Sequence, residues 1–429
     1  MSTLEVAIIG AGPTGLATAA ALRKYLPPST TLHLTIYERL SSTLPPPTTS
    51  GNANQTIHPT VGAGLALQSN GVAVLHSLSP RLGAAVEAGG MPCVGFKFRT
   101  ASNWLLGRSE QGLVAVERGV MVAALMEGFE GNVVRKGVER VEVRRGERPR
   151  VWVQGEGEGR EVDLVVGADG IRSVARVGLW GRERFGADYT GQCAVGGIYK
   201  MPVPKELLDD PVITFAMGAT GSMGYCGLSQ ADTEKMLWWS VYATDLPARG
   251  KDLDVKDINR QIQLRHGDWK VPILQRILRD GMSDNVWPIF TVPDMPYWGR
   301  DGVVLVGDAA HAMAPRTGQG SSQGLEDAQT LGVLVGELMG RGKSTQAAVK
   351  EAIEGLYTLR HDRVKGIIDR AERFKEKPTP MTKFQTLFLY TIIFVMTKLE
   401  AVSRMFKFFK GAEDWDAETV VRDYLKKVE

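Results

Sequence analysis

Three segments of the chain share one pattern, a mainly apolar run followed by a turn of small residues, and a helical stretch follows the first and third turns. The apolar runs cover residues 6–9, 162–166 and 303–306, and the turns after them cover residues 10–15, 167–173 and 307–320. Short apolar runs bounded by glycine turns are typical of strands buried in a parallel sheet. The pattern predicts an α/β fold, and it places the three turns at the carboxyl ends of strands, where such sheets bind ligands.

The first of these turns, Gly10-Ala11-Gly12-Pro13-Thr14-Gly15, has the spacing of a dinucleotide-binding loop. Gly10 would make the tight turn, Gly12 would let the backbone approach a pyrophosphate, and Gly15 would let the helix pack against the strand. The helix N-terminus directs free N–H groups at phosphates. The next strand, residues 32–37, ends at Glu38, whose carboxylate is placed to accept hydrogen bonds from ribose hydroxyls. We expect a dinucleotide site rather than an ordinary βαβ turn, and this stretch leaves both FAD and NAD open.

The middle of the chain changes from helical to strand-like patterns. Residues 71–89 have helical spacing, and strand patterns cover residues 93–116 (with Val94, Phe96 and Phe98 alternating) and 133–153. Between residues 191 and 288 short strands are separated by long polar connections, which favours a separate substrate domain. There, Trp238 and Trp239 must lie on opposite faces of a strand, so one ring is expected in the core and the other could line a cavity.

These changes divide the chain into three parts. We expect a discontinuous cofactor-binding domain in residues 1–90, 115–190 and 290–340, a substrate domain in residues 91–114 and 191–289, and C-terminal helices in residues 341–429.

The C-terminal part contains a strongly apolar segment, residues 384–396, after a basic helical stretch at residues 345–376. Thirteen residues are too few to cross a bilayer as a helix. The continuation at residues 405–410 mixes phenylalanine and lysine, as interfacial helices do. Two interpretations are open: a helix packed on the core, and peripheral contact with a membrane or a partner through residues 384–410.

Composition limits the possible functions further. The net charge of +3 over 429 residues gives no reason to expect nucleic-acid binding. The cysteines, Cys93, Cys193 and Cys226, are far apart and form no CxxC motif, which indicates a reducing compartment and no structural zinc. Because the glycine turn follows Met1 so closely, we expect no signal peptide and a cytoplasmic protein.

Some candidate residues have an ordinary structural explanation. The segment Gly62-Ala63-Gly64 is either a turn or a stretch of backbone that lies against a flat ligand. Arg118 precedes a helical stretch, where a lone arginine is usually a solvated surface group. His311 has no second His, Cys or Glu at metal-binding spacing, so we assign it a structural role and expect no metal site.

Taken in order along the chain, the three turns resemble those of a known enzyme family. The motifs GADGxxSxxR at residues 167–176 and GDAAHxxxPxxGQG at residues 307–320 are far more specific than the opening glycine loop. Over roughly residues 4–375, the chain resembles the single-component (group A) FAD-dependent monooxygenases of the aromatic-hydroxylase type, and among them the fungal members of secondary metabolism. The resemblance implies a Rossmann-like FAD-binding domain of the three-layer glutathione-reductase type, an inserted antiparallel β-sheet substrate domain and a C-terminal helical segment.

The resemblance also implies roles for individual residues. Glu38 holds the adenosine ribose, Arg118 contacts FAD between ribityl and pyrophosphate, and Asp308 binds the ribityl hydroxyls. Asp169 and Gly170 belong to a motif shared between FAD and NADPH contacts. Tyr357, Arg360 and Arg363 match a structural pattern of the C-terminal helix. The full implied cofactor set, in which residues 62–64 lie along the flavin and residues 318–321 line its pyrimidine edge, is Gly10, Gly12, Gly15, Glu38, Arg39, Gly62, Ala63, Gly64, Arg118, Asp169, Gly170, Asp308, Pro315, Gly318, Gln319, Gly320 and Ser321.

The implied reaction inserts one oxygen atom from O2 into a substrate through a flavin C4a-hydroperoxide. NADPH or NADH would be a transient reductant, since no second dinucleotide loop follows a strand. The helix from Ser321 would direct N–H groups at the negative charge of reduced flavin, and the site would have to exclude water. We expect hydroxylation or epoxidation of a mid-sized aromatic or unsaturated natural product.

One departure from the family affects the substrate. Many phenol hydroxylases of this kind carry an arginine roughly where the chain has Gly196-Gly197, so no residue is obviously placed to deprotonate a phenol. We nominate Arg118 and Tyr225 for catalysis, and indole, alkene and enol substrates are as open as phenols. Two other functions are also open: a non-oxygenating flavoprotein (a dehydrogenase, or a cyclase or isomerase stabilised by the cofactor) and a binding protein with a relict site.

Overall fold

The fold is taken from a computed structural model that describes residues 2–39, 64–247, 254–280, 283, 286–315, 318–372, 380–398 and 415–428. Helices and strands are numbered in chain order within these ranges. Gly62, Ala63 and residues 399–410, which the sequence singles out, lie outside the described residues.

The first sheet of the described chain has the three predicted apolar runs as neighbours. In spatial order its strands are β16 (Gly299–Arg300), β17 (Val303–Leu305), β10 (Leu164–Gly167), β1 (Ser2–Ile9), β2 (Thr30–Tyr37) and β6 (Val133–Val134). Neighbours pair in parallel, except that β16 is antiparallel to β17. Because β17, β10 and β1 are adjacent and parallel, the turns that follow them lie at one edge of the sheet.

Different layers cover the two faces of this sheet. On one face, helices α1 (Pro13–Tyr25) and α10 (Gly320–Gly340) pack against Val6 and Ile8 of β1. On the other face, Ala7 and Ile9 pack against the meander β7 (Val138–Glu142), β8 (Arg150–Val153) and β9 (Arg160–Glu161). The alternation of side chains along β1 separates the two cores, so the unit has three layers: helices, parallel sheet and meander.

The second sheet contains the strands predicted between residues 191 and 288. In spatial order its strands are β15 (Val286–Thr291), β11 (Asp188–Lys200), β14 (Lys235–Ala243), β13 (Gly221–Gly227), β12 (Ile213–Gly218), β4 (Met91–Thr100), β5 (Leu105–Glu117) and β3 (Gly64–Gln68). Strands β12, β13 and β14 are antiparallel neighbours, as predicted. Strand β3 lies in the range that we expected in the cofactor-binding domain, although it pairs within this second sheet. The division of the chain into domains stays a prediction.

The two faces of the second sheet have different surroundings. Trp238 of β14 is buried in a core that includes helices α7 (Val255–His266) and α8 (Pro272–Asp280). Trp239 packs with Phe98 and Phe215 on the opposite face. A Cβ atom at Gly64 would lie 2.5 Å from Leu237 Cδ2, although β3 and β14 are separated by four strands in the sheet order. The sheet therefore curls, and the face that carries Trp239 is its concave face.

The remaining helices complete the described chain and correct one prediction. They are α2 (Ser69–Leu78), α3 (Pro80–Gly89), α4 (Arg118–Met126), α5 (Val174–Trp180), α6 (Lys205–Asp209), α9 (Asp308–His311), α11 (Thr345–Glu372), α12 (Lys383–Lys398) and α13 (Ala417–Val428). The helix expected over residues 71–89 is two helices. Proline has no N–H to continue a helix and restricts the residue before it to extended backbone, and Ser79 before Pro80 has φ −160° and ψ 127°.

Candidate active site

The opening loop has the shape that its glycines predict. Gly10 has φ +104°, and a Cβ atom there would lie 2.5 Å from the Ala168 carbonyl oxygen. A Cβ atom at Gly15 would lie 2.0 Å from the Gly10 carbonyl oxygen. At Gly12 the nearest atom to an added Cβ is Nη2 of Arg118, at 3.4 Å. Gly10 and Gly15 are therefore required for the loop itself, whereas Gly12 keeps the space beside Arg118 open.

The second turn brings a carboxylate into the same cleft. Gly10, Gly12, Glu38, Arg39, Arg118, Asp169 and Gly170 line this cleft together. Oε2 of Glu38 accepts a hydrogen bond from the Ala11 N–H at 2.9 Å, so the residue predicted to bind ribose also holds the loop. Arg118 at the start of α4 is exposed, and it forms no hydrogen bond or ion pair with any other described residue. Seven sequence-predicted residues from four separate parts of the chain thus meet at one place.

Asp169 has one satisfied and one unsatisfied oxygen. Its Oδ2 accepts hydrogen bonds from the N–H groups of Val174 and Ala175, at 2.6 and 3.4 Å. Its Oδ1 is buried and has no hydrogen-bond partner in the described chain. Burial raises the pKa of the carboxyl group, although hydrogen bonds oppose the shift. An acceptor of this kind inside a cleft is suited to a hydroxyl or amide donor from a bound molecule.

The Arg176 side chain fixes the second turn to the third. Its guanidinium donates to the carbonyl oxygens of Ala309, Ile171 and Phe185 at 2.8, 2.5 and 2.9 Å. Ala309 follows Asp308, whose exposed carboxylate forms no contact of this kind with another described residue. The arginine of GADGxxSxxR therefore sets the position of the GDAAH turn, and it leaves Asp308 available for a ligand.

The third turn ends in the long helix α10. Gly318 has φ +61° and donates its N–H to the Pro315 carbonyl oxygen at 3.0 Å. Gln319 is the N-cap residue, no side chain caps the helix, and a Cβ atom at Gly320 would meet open space. The first N–H groups of the helix, including that of Ser321, have no partner within the helix and carry its positive dipole end. This end of α10 is suited to stabilise negative charge.

A buried polar network begins at this helix end. Gln319 donates to Oε1 of Gln68 at 2.5 Å, and Gln111 donates to the same oxygen at 2.8 Å. Asn70 donates to Gln319 at 3.1 Å and to Oε1 of Glu326 at 2.6 Å. The network therefore joins the N-terminal turn of α10 to β3 and β5 of the second sheet. Sequence reasoning missed this network.

The same helix carries two fully buried carboxylates. Glu326 pairs with Arg360 and, at 2.8 and 2.9 Å, with Arg363. Asp327 accepts from Arg360 at 2.9 Å, from His311 at 2.6 Å and from the Gly307 N–H at 2.9 Å. Burial by itself would raise the pKa of Asp327, but His311 and Arg360 lower it to about 2. The sequence signal that points to this cluster is a set of polar residues, three to four positions apart, within an otherwise apolar helical stretch.

His311 and the C-terminal arginines have the structural positions that we expected. His311 is 5% exposed and bonded to Asp327, and Arg360 is fully buried between the two carboxylates. No group of His, Cys, Asp and Glu residues in the described part of the chain is arranged to hold a metal ion.

An aromatic cluster lines the concave face of the second sheet. Phe215 stacks on Phe98 with ring centroids 5.9 Å apart, contacts Phe96 at 6.0 Å and meets the edge of Trp239 at 5.7 Å. This face adjoins the cofactor loops, because Gly64 lies against Leu237 and Gln68 bonds to Gln319. Trp239 therefore belongs to an aromatic surface on this face, and its predicted place in the wall of a cavity stays a prediction.

Tyr225 does not lie with Arg118. It is paired with Trp238 in the sheet and is buried in the core under α7 and α8, on the convex side. Burial raises the pKa of its phenol to about 12. Because Tyr225 lies on the convex face of β13, the structure does not support its predicted catalytic role, and we assign it a role in packing.

The comparisons with known proteins agree with this geometry. The family described as FAD binding domain matches residues 3–352. The chain belongs to this family. It is 28% identical over 390 residues to a 3-amino-4-hydroxybenzoate 2-monooxygenase of Streptomyces cremeus, with 87% of each chain covered. It is 27% identical over 400 residues to the FAD-dependent monooxygenase sor5 of Hypocrea jecorina, with 86% of this chain and 84% of the relative covered.

Solved structures of FAD-binding proteins have the same fold. Klebsiella pneumoniae HpxO complexed with FAD and uric acid has a TM-score of 0.75 at 20% identity, with 95% of this chain and 96% of that chain covered. A salicylate hydroxylase substrate complex has a TM-score of 0.72 at 19% identity, with 98% of both chains covered. The predicted fold class, the FAD cofactor and the class of enzyme, an FAD-dependent monooxygenase of the single-component aromatic-hydroxylase type, are confirmed.

The described residues fit FAD on structural grounds as well. The backbone at Gly12 leaves space beside Arg118, Oδ1 of Asp169 is a buried acceptor without a partner in the described chain, and the start of α10 is uncapped. Glu38, Asp169 and Asp308 supply acceptors for hydroxyl groups. Arg118 and the starts of two helices supply positive charge for phosphates and for the flavin edge.

Proposed function

We propose that this FAD-dependent monooxygenase hydroxylates or epoxidises a mid-sized aromatic or unsaturated substrate, using NADPH or NADH as the reductant. The observation that supports this substrate class is the ring cluster of Phe96, Phe98, Phe215 and Trp239 on the concave face, next to the predicted flavin edge. Aromatic walls bind flat apolar molecules by burial and ring contacts.

The residues of the three turns would bind the cofactor, which, when bound, supplies the transfer of electrons from NAD(P)H and of an oxygen atom from O2. Glu38 would hold the adenosine ribose and Asp308 the ribityl chain, while Arg118 neutralises phosphate charge. The uncapped N–H groups at residues 320–321 would stabilise negative charge at the flavin edge.

The aromatic cluster would orient the substrate and exclude water from the site. On the concave face Phe98 is paired with Phe215, and Trp239 reaches Phe215 across Gly224 of β13, so the rings form a continuous apolar surface. Excluding water protects reactive oxygen chemistry from side reactions. The side chains of this face would therefore orient the substrate by their shape and exclude water from the site, and they would not transfer protons.

The pair Gly196-Gly197 narrows the substrate class. Gly196 has φ +155° and Gly197 φ +151°, and a Cβ atom at Gly196 would lie 2.2 Å from the Trp238 carbonyl oxygen. An arginine at Gly196 is excluded by this backbone, so the activating arginine of many phenol hydroxylases has no equivalent there. We therefore favour substrates that react without deprotonation by the protein, such as an indole, an alkene or an enol.

Peripheral membrane contact through residues 384–410 is a further part of the proposal. Residues 384–398 belong to α12, and residues 399–410 lie outside the described chain. Within the described ranges, the structure contains no helix that is both long and apolar enough to span a membrane.

The test is the visible spectrum of the purified protein as NADPH is added in aerated buffer, with and without phenolic, indolic and enolic ligands. We expect oxidised-flavin bands and faster NADPH consumption with one ligand class. Trp239→Leu should keep the flavin and lose the stimulation, whereas Trp152→Leu, in the meander far from the concave face, should behave as wild type. A yellow protein that leaves NADPH unconsumed with every ligand would favour a non-oxygenating flavoprotein instead.

A further inference from the structure

Helix α12 has an apolar side that no other part of the described chain covers. Phe384, Leu387, Phe388 and Phe394 are between 49% and 78% exposed. Side chains three or four positions apart lie on the same side of a helix. Thr391 lies between Leu387 and Phe394 at these spacings, so the four apolar residues and Thr391 form one exposed stripe. None of the residues of α12 is buried. A helix that is apolar on all sides normally has all its sides covered.

Another face of α12 rests on the second sheet. Tyr390 donates its hydroxyl hydrogen to the Met217 carbonyl oxygen at 2.8 Å, and Oγ1 of Thr397 lies 3.4 Å from the Leu106 carbonyl oxygen. These two residues are seven positions apart and so share a face, which adjoins the exposed stripe at Leu387 and Phe394. The helix is thus fixed in place, with its apolar stripe directed outward.

The sheet adds two exposed apolar side chains beside the same helix. Trp104 and Leu105, at the turn between β4 and β5, are 76% and 56% exposed. They directly precede Leu106 and Gly107, the backbone that Thr397 contacts. We call the exposed stripe of α12 together with Trp104 and Leu105 the apolar platform.

The charges of α12 itself favour a lipid surface over a protein partner. Lys383 and Lys398 stand at the two ends of α12, and no Asp or Glu occurs between them. Tryptophan and phenylalanine beside lysine are the composition of helices that lie at the boundary of lipid headgroups and acyl chains. Anionic headgroups would attract such lysines, with a favourable energy for each cation near the surface.

We propose that the apolar platform docks the enzyme on a bilayer that contains anionic phospholipids, and that the apolar substrate enters the aromatic site from this side. Both parts rest on the proposed function: the first specifies the surface and the lipid for the membrane contact proposed there, and the second adds the route of the substrate. Gly107, which α12 covers, is paired in the sheet with Phe98 of the aromatic cluster. The helix that contacts lipid therefore also adjoins the aromatic wall, so a lipophilic substrate has a short path between the two.

The test is cosedimentation of the full-length FAD-loaded protein with vesicles of phosphatidylcholine, with and without phosphatidylserine. We expect binding that phosphatidylserine strengthens and salt weakens. Leu387→Glu should lower the partition coefficient at least about tenfold, because it removes an apolar contact and adds a negative charge near the lipid. Trp104→Glu should lower it in the same direction.

The matched control is Leu264→Glu. Leu264 lies on α7 and is 67% exposed, which is close to the 63% exposure of Leu387. This control should bind vesicles as wild type does. Equal binding of Leu387→Glu and wild type, or no wild-type binding to either vesicle, would overturn the proposal. So would a wild-type dimer in lipid-free buffer that Leu387→Glu dissociates, since a second copy would then cover the platform.

The same samples separate this inference from the proposed function. Flavin content and ligand-stimulated NADPH consumption in lipid-free buffer test the oxygenation alone, and Leu387→Glu should leave both unchanged. With a lipophilic substrate supplied inside vesicles, Leu387→Glu should turn over more slowly than Leu264→Glu. Equal turnover of these two variants would overturn the proposed entry of substrate from the lipid side.

Discussion

Replacing Gly12 with alanine should weaken FAD binding without disturbing the fold. Gly12 has φ −76° and ψ 175°, a conformation that any residue adopts, and the atom nearest to an added methyl group is Nη2 of Arg118 at 3.4 Å. As the N-cap residue of α1, alanine in place of glycine costs at most about 1 kcal/mol of folding stability. The methyl group would, however, fill the space in which the backbone approaches the pyrophosphate.

The size of the effect follows from the contacts that the methyl group would displace. Loss of one hydrogen bond to a charged group costs about 1.5–3 kcal/mol, which corresponds to a roughly 10- to 150-fold weaker dissociation constant for FAD. Gly15→Ala is the matched comparison within the same loop. Its Cβ atom would lie 2.0 Å from the Gly10 carbonyl oxygen, so the backbone itself must move and folding stability should fall.

The assay has two readouts on the deflavinated proteins. Quenching of flavin fluorescence during an FAD titration gives the dissociation constant, and thermal unfolding without FAD gives the stability. Gly12→Ala should lose affinity and unfold within about 4 °C of wild type, whereas Gly15→Ala should unfold at a clearly lower temperature. Wild-type FAD affinity in Gly12→Ala would refute the reasoning, as would a loss of stability equal to that of Gly15→Ala.

Three further predictions concern charged groups. The folded pKa of Asp327 is about 2, below its ordinary value of 3.8, so its stabilisation is complete above about pH 4 and is lost as the pH falls toward 2. The loss is about 2 kcal/mol of unfolding free energy, which urea titrations of wild type and Asp327→Asn at several acidic pH values would measure. Arg118→Ala should weaken FAD binding about tenfold or more at low salt and leave the unfolding temperature unchanged, since the side chain is exposed; a fall in that temperature would contradict this. Glu326→Gln should cost about 3–5 kcal/mol in urea titrations, because Arg360 and Arg363 both lose the negative charge of the buried Glu326 carboxylate, whereas Glu87→Gln at a half-exposed pair should cost at most about 1 kcal/mol.

The sequence predicts those parts of the site that depend on neighbours in the chain. The glycine loop, the strands that precede the three turns and the opposite orientation of Trp238 and Trp239 follow from local backbone preferences and from the period of two along a strand. The positions of Glu38 and Asp169 in one cleft follow from the order of parallel strands at one sheet edge, whereas Arg118 follows β5 of the second sheet and only the family resemblance implied its place there. Each of these features is determined either by residues within about twenty positions of one another in the sequence or by the order of strands that the motifs imply.

Other features depend on tertiary contacts that no local pattern records. The face that Tyr225 occupies is decided by how β13 pairs with β12 and β14. Val94 is 47% exposed although Phe96 points inward, since the pairing of β4 and β5 shifts between Cys93 and Gly95. The arginine partners of Glu326 are more than thirty residues away in the sequence, on α11.

Helix α10 connects the two halves of the site. Its N-terminal turn faces the predicted flavin edge, and Gln319 in front of it bonds to Gln68 on the strand that begins at Gly64. Six residues into the helix, Glu326 is held by buried arginines, which leaves the helix little freedom to slide or rotate. Because β3 belongs to the same sheet as the aromatic cluster, the distance between the cofactor edge and the substrate wall is set by this helix. The buried charges of α10 are therefore expected to affect catalysis through the position in which they hold the helix.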